Sequence, residues 1–314
     1  MPKDINKSLI LKEKDEFLVK ISKHFKKKIN SINIIYLKSE NKLGNLLLSL
    51  NNAIFTCEII GCKKILLGNG TEFYIKHKIF YPKYNMSIEP FYQNKINSNN
   101  TLIFSSHFFF YHRQHYNPEN RFYVIKAEIL NNLPKVETNP KDLYIHIRSG
   151  DIFDNEINIG YSQPPLCFYQ KIIREFKFRK IYIISKYRNN PNINLLLKEF
   201  DYIIYNKNNK DLDISYLVNA YNIVASTSSF LITLIKFNDK LKFLWEFDLY
   251  RLSNRILHMH HSFSNFSFNY TIYKMVPSER YIKIMSNWYN SLLQKRFMIK
   301  EKCKNTFSII KPRS

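Results

Sequence analysis

Glycine is almost missing from this chain, with six residues in 314. Flexible glycine-rich linkers are thereby excluded, and each glycine present marks a place where the backbone asks for its conformational freedom. Cysteine is also scarce. Four cysteines, none in a C-x-x-C pair, are too few for a disulfide framework in a chain this long. Cys57 and Cys62, five apart along a predicted helix, are expected on different faces, and packing is the role expected of all four. Acidic residues are short too, 25 against 48 Lys and Arg. No apolar run approaches the roughly 20 residues that span a bilayer, and no signal-peptide pattern precedes the first charged stretch. As it stands the sequence reads as cytoplasmic, or as a Golgi or ER luminal enzyme if an anchor precedes it.

What is present is a large aromatic inventory, 25 Phe and 22 Tyr within 45% apolar residues, enough for a sizeable core. The length suits two domains of about 150 residues each. The net charge of +23 would ordinarily point to nucleic acid, an acidic membrane surface or a phosphorylated ligand. Lys, Asn, Ile and Tyr crowd almost every segment, however, so the excess is read first as compositional bias. The densest basic run, KHFKKKIN at 23 to 30, carries one aromatic residue, Phe25, and reads as a solvated face or arm.

Residues 1 to 31 read as a charged helix. SINIIYLKS (31 to 39) then reads as a strand, and a helical spacing of apolar residues runs from Leu46 to Ile60 up to a stop at Gly61. KILLG is the next strand, which makes a βαβ unit and favours a parallel sheet. Residues 69 to 141 hold short strands such as TLIFSS. From DLYIHI onward strands and helices alternate cleanly through LKFLWEF, as in a doubly wound α/β domain over roughly 140 to 250. One helix is expected to begin with Pro164 and Pro165 in its first turn. SERYIKIMSNWYNSLLQKRF is expected to be one amphipathic helix packing across the domain junction. The boundary is placed between 1–140 and 141–314.

In open parallel sheets ligands bind beyond the carboxyl ends of the strands, which makes LYIHIRSGD the most informative stretch. Strand alternation puts His146 and Arg148 on one face, and the scarce Gly150 permits a sharp turn after them. The planar fork of Arg148 suits a diphosphate, with Asp151 orienting it; the same residues equally fit an Arg-Asp pair that seals a strand end. IVASTSSFL, at 223 to 231, runs a strand into a helix through four consecutive hydroxyl residues. A helix start of that kind can hold an anion, whereas ordinary capping needs one hydroxyl.

These residues resemble the fucosyltransferase superfamily of α1,2-, α1,6- and protein O-fucosyltransferases. HIRSGD is similar to its H-x-R-x-G-D signature, NKLGNLLLSLNNAIF to the G-x-L-G-N opening of the α1,2 branch, and LDISYLVNAYNIVASTSSFL to its third common region. The chain departs from that branch at Leu46, where Gln is usual, and in lacking a Trp pair after the hydroxyl cluster. The resemblance implies an α/β GT-B fold, two Rossmann-like domains with parallel sheets facing a cleft, the sugar nucleotide being held by the second. It further implies that Arg148 binds the pyrophosphate with Asp151 beside it, that His146 lies near the nucleoside, and that Thr227, Ser228 and Ser229 bind phosphate. Asp213 would accept hydrogen bonds from guanine, and Gly44 and Asn45 would lie in a loop lining the cleft.

The expected activity is inverting, metal-independent transfer of fucose from GDP-fucose to a hydroxyl of a glycan or glycoconjugate. No cofactor beyond that donor is expected. Glu156 is the candidate base, with Asp154 in reserve; both also fit solvated loop acids. HMHH at 258 to 261 lacks a nearby carboxylate and reads as packing or a turn, not as a metal site. His107, His112 and His115 are further residues that could reach the cleft. The competing readings are a basic nucleic-acid-binding protein and a catalytically inactive sugar-nucleotide-binding protein of the same fold.

Overall fold

A computed structural model describes residues 32–37, 43–68, 75–82, 85–91, 100–104, 123–154, 161–205, 209–248 and 269–312. The expected first helix, the run KHFKKKIN, His107, His112, His115, Glu156 and HMHH lie outside the described residues. The chain divides into two compact units, Met1–Asn132 and Leu133–Ser314. The division falls earlier than the expected 140/141 because the segment before the second sheet is tied to that unit. Thr138 Oγ1 donates to the Asn219 carbonyl at 2.7 Å, and Asn222 Nδ2 donates to the Pro140 carbonyl at 2.7 Å.

The first unit contains β1 (Ile34–Leu37), α1 (Leu43–Ile60), β2 (Lys64–Leu67), β3 (Ile79–Tyr81), β4 (Met86–Pro90), β5 (Thr101–Phe104) and α2 (Tyr123–Asn131). Its five-stranded sheet runs β3-β4-β2-β1-β5, parallel except for the antiparallel β3–β4 edge. β1, α1 and β2 form the expected βαβ unit. Gly61 ends α1 with φ of 70°. That left-handed residue turns the chain back, so Cys62 comes within 4.8 Å of Cys57 between Cα atoms and the two form a disulfide. The expectation of different faces assumed that the helix continued.

The second unit contains β6 (Leu143–His146), a 3-10 turn (Asp151–Phe153), α3 (Leu166–Glu175), β7 (Ile181–Ile184), α4 (Pro191–Glu199), β8 (Ile203–Ile204), α5 (Lys210–Asn219), β9 (Asn222–Ala225), α6 (Ser229–Ile235), β10 (Phe243–Phe247), β11 (Thr271–Met275), α7 (Glu279–Met285), α8 (Leu292–Lys300) and β12 (Ser308–Ile310). The seven strands are ordered β12-β11-β10-β9-β6-β7-β8, parallel apart from β12. Both sheets are thus dominated by parallel pairing, and the fold is α/β. β6 is buried along its whole length, as a central parallel strand covered on both faces must be. On one face Tyr144 stacks on Tyr182 and Tyr216, with ring centroids 5.0 and 5.6 Å away. Trp245 and Tyr273 stack at 5.2 Å beside Phe176.

Two expectations about helices fail for identifiable reasons. Pro165 is the N-cap of α3 in extended conformation, and the prolines precede the helix instead of filling its first turn. The tail is two helices, not one. Trp288 leaves the helical path to bury itself completely and donates its indole N–H to the Ile152 carbonyl at 2.8 Å; Asn290 then takes a φ of 55° and Ser291 caps α8. Within the second unit α8 packs on α3 and α4, and a disulfide from Cys167 to Cys303 joins α3 to the segment after α8. All four cysteines are therefore bonded, against the expectation of packing alone.

Candidate functional site

The strand order places a reversal between β6 and β9. From β6 the chain builds outward through β7 and β8, then crosses to β9 on the other side. At such a switch point the following helices diverge to opposite faces and leave a crevice beyond the carboxyl ends of the strands. His146 ends β6 and Ser226 follows β9, so both of the stretches singled out in the sequence arrive there.

Ser226 Oγ joins them. It accepts the backbone N–H of Arg148 at 2.9 Å and lies 3.0 Å from His146 Nδ1. His146 is buried, with its ring centroid 5.9 Å from that of Phe230. Burial, reinforced by the nearby Arg148 charge, pushes its pKa down to about 3, so the imidazole is neutral near pH 7. Its contact with Ser226 links the end of β6 to the residue that follows β9.

Arg148 is differently placed. Its side chain is 15% exposed, and Nη2 donates to both carboxylate oxygens of Asp151 at 3.0 and 3.1 Å. The guanidinium carbon sits 5.0 Å from the centroid of the Tyr161 ring, a cation–π contact. Nε is buried and has no hydrogen-bond partner among the described residues. Buried donors are nearly always paired in folded proteins, which makes this one notable.

The loop beyond Arg148 is built to stay put. Gly150 has φ of 79°, and a Cβ there would stand 2.8 Å from the Tyr187 ring, so glycine is required twice over. Asn189 brackets it, accepting the Gly150 N–H at 2.7 Å and donating to its carbonyl at 3.1 Å. Asn190 caps α4 and donates to the Arg148 carbonyl at 2.9 Å. Phe153 packs edge-on against Trp288. Asp154 is exposed and its Oδ1 lies 3.3 Å from Asn189 Nδ2.

The four hydroxyls of 226–229 divide their work. Ser226 bridges the strand ends, and Thr227 Oγ1 donates to the Ser162 carbonyl. Ser228 is the N-cap residue of α6, yet makes no side-chain cap bond, and its buried Oγ has no partner among the described residues. Ser229 is the first residue of α6. Ordinary capping by Ser226 or Thr227, the alternative reading of this cluster, does not occur, because both hydroxyls are engaged elsewhere. α6 is seven residues long, too short for a strong dipole. Asp213 lies half-buried in the first turn of α5. That turn also opens on the carboxyl edge, since α5 follows the parallel strand β8. Gly44 and Asn45 belong to the first turn of α1 and not to a loop.

Sequence reasoning passed over Tyr161, Asn189 and Asn190, and it offered Ser226 as a helix cap and not as the bridge between strand ends. The run RNNPN carried a signal for Asn190, since Asn before Pro is a common helix start. Nothing in the sequence marks Tyr161. Among the described residues no group of His, Cys, Asp or Glu could hold a metal ion.

No protein-family model matches the chain, and no curated protein matches it. Among solved structures it is similar to E. coli heptosyltransferase WaaC with ADP, at 10% identity and a TM-score of 0.36, over 77% of this chain and 90% of that one. A likeness that distant carries no weight for fold or activity, which rest on this chain's own residues.

Proposed function

We propose that the chain is an inverting glycosyltransferase that takes GDP-fucose as donor and a hydroxyl of a glycan or glycoconjugate as acceptor. The observation that carries this reading is the guanidinium of Arg148, largely buried at the switch point, with its Nε unpaired and its Nη2 steadied by Asp151. A buried cation with an unused donor suits an anionic ligand that supplies the missing acceptor. The unpaired hydroxyl of Ser228 is a second donor on the same edge. The H-x-R-x-G-D resemblance supplies the donor's identity.

In this reading the acceptor oxygen attacks the anomeric carbon as the bond from that carbon to the β-phosphate oxygen breaks, with inversion. Negative charge grows on the departing diphosphate, where Arg148 and Ser228 meet it. The acceptor's proton passes to a carboxylate that follows Arg148 in the sequence, Glu156 or, in reserve, Asp154. Charge neutralisation by Arg148 makes the reaction independent of a divalent metal. His146 positions the Arg148 backbone through Ser226, and Asp213 recognises guanine from the start of α5. The second unit holds the donor.

The test is a thermal-shift panel of GDP, UDP, CDP and dTDP sugars on the whole chain, repeated with Arg148→Ala. GDP-fucose raises the melting temperature of the unsubstituted chain alone. Equal shifts in both proteins, or a shift with none of the four, would overturn the proposal.

A further inference from the structure

The second unit carries a patch remote in sequence from Arg148, centred on α8. The capping box of Ser291 and Gln294 fixes the start of this helix, and Gln294 and Met298 bury its inner side. Leu292 and Leu293 in its first turn are 72% and 66% exposed, and Tyr289 just ahead is 51% exposed. Leu293, Arg296, Phe297 and Lys300 follow the i, i+3, i+4, i+7 spacing of one helical stripe. All four line a cavity of about 650 Å³.

Arg280, Lys302 and Lys304 line the same cavity, with Phe247 and Met275 among its apolar walls. Five cations therefore face one acid, Glu301, which already accepts the Ser278 hydroxyl at 2.8 Å. Among the described residues no ion pair joins Arg280, Arg296, Lys300, Lys302 or Lys304 to an acid. Arg280 instead lies over the Phe297 ring, 5.2 Å from its centroid.

A soluble anion would satisfy the cations and leave two leucines in water. An apolar protein partner would cover the leucines and strand the cations. One partner answers both: an anionic bilayer, whose acyl boundary takes leucines and whose phosphates take Lys and Arg. We propose that this face of α8 docks the protein on an anionic membrane surface, with Leu292 and Leu293 entering the acyl boundary, Tyr289 at headgroup level, and the five cations holding lipid phosphates. No helix among the described residues is long and apolar enough to cross a membrane. The docking does not rest on the proposed transferase activity.

The experiment is flotation of the whole chain with phosphatidylcholine vesicles, with and without phosphatidylserine. Binding is expected only where phosphatidylserine is present, and it weakens with salt. The pairs Leu292→Ser with Leu293→Ser, and Arg296→Glu with Lys300→Glu, each reduce it by about tenfold or more. Lys177→Glu with Lys180→Glu, the same charge change on exposed lysines ahead of β7, stays within about twofold of the unsubstituted chain. Arg148→Ala binds vesicles normally, which separates this proposal from the transferase reading. Unchanged vesicle binding by the leucine pair would overturn it, as would an absence of vesicle binding with tight retention on duplex DNA. A concentration-dependent dimer abolished by the leucine pair would assign the face to a second copy of the chain instead.

Discussion

The second sheet ends in an Arg-Asp pair on both edges, and the two pairs are built to different purposes. At the amino edge, Arg179 Nε and Nη2 donate to the two oxygens of Asp142 at 2.8 and 2.7 Å, a closed fork on a carboxylate side chain that is 2% exposed. The arginine is half in water and the carboxylate is the buried partner. At the carboxyl edge the arrangement is reversed. Arg148 is the more buried member, both of its bonds to Asp151 leave from Nη2, and Nε is left without a partner among the described residues. A strand end can be sealed completely, as Arg179 shows, so an unsealed one at the switch point is a difference in kind.

The sharpest way to break that contrast is to make one substitution on each edge. Arg148→Ala is expected to lower turnover about 10²–10³-fold, the scale on which charge-stabilising donors act, with little change in melting temperature. Arg179→Ala is expected to do the opposite, lowering the melting temperature because the buried Asp142 loses its partner, while nucleotide-induced stabilisation survives. If both variants lost stability and neither lost turnover, the two pairs would be equivalent seals.

The hydroxyls sharpen the comparison within the carboxyl edge. Ser226→Ala should cost about 1–3 kcal/mol of stability in denaturant titrations, since the Arg148 amide and His146 both lose a buried partner. Ser228→Ala removes a hydroxyl with no partner among the described residues, so its stability should stay within about 0.5 kcal/mol. The affinity for GDP in calorimetry should nevertheless fall about fivefold.

Acid sets the last contrast. The pKa of His146 is about 3 when folded and about 6.5 when unfolded, so the unfolded chain binds the extra proton between those values. The stability of the neutral imidazole is present in full above pH 6.5 and declines as pH falls from there toward 3. Denaturant titrations across that window should show the unsubstituted chain losing stability faster than His146→Gln. Parallel curves would mean that the ring protonates freely in the folded state.

The strand-helix alternation of the second unit was legible because each element carries its own local signal. LYIH, IYII and NIVA are short apolar runs, and of the helices between them α4 and α5 begin at Asn caps. The site was legible as far as Arg148, Asp151 and Gly150, which adjoin one another in the chain. The partners that decide what Arg148 can do were not. Ser226 is 78 residues from the Arg148 amide that it accepts, and Asn190 is 42 residues from the carbonyl that it caps. The tail was misread for the same reason: SERYIKIMSNWYNSLLQKRF has continuous helical spacing, but Trp288 gains a buried site against Ile152 by breaking it.

By itself, then, the sequence determined the alternation of strands and helices in the second unit and put a cation, a glycine turn and a run of hydroxyls at strand ends, because these depend on near neighbours. Only the tertiary structure decided which hydroxyls are engaged, which arginine is closed and which is open, and that the cysteines pair. Those outcomes depend on strand order and burial, which bring groups from distant parts of the chain within hydrogen-bonding range.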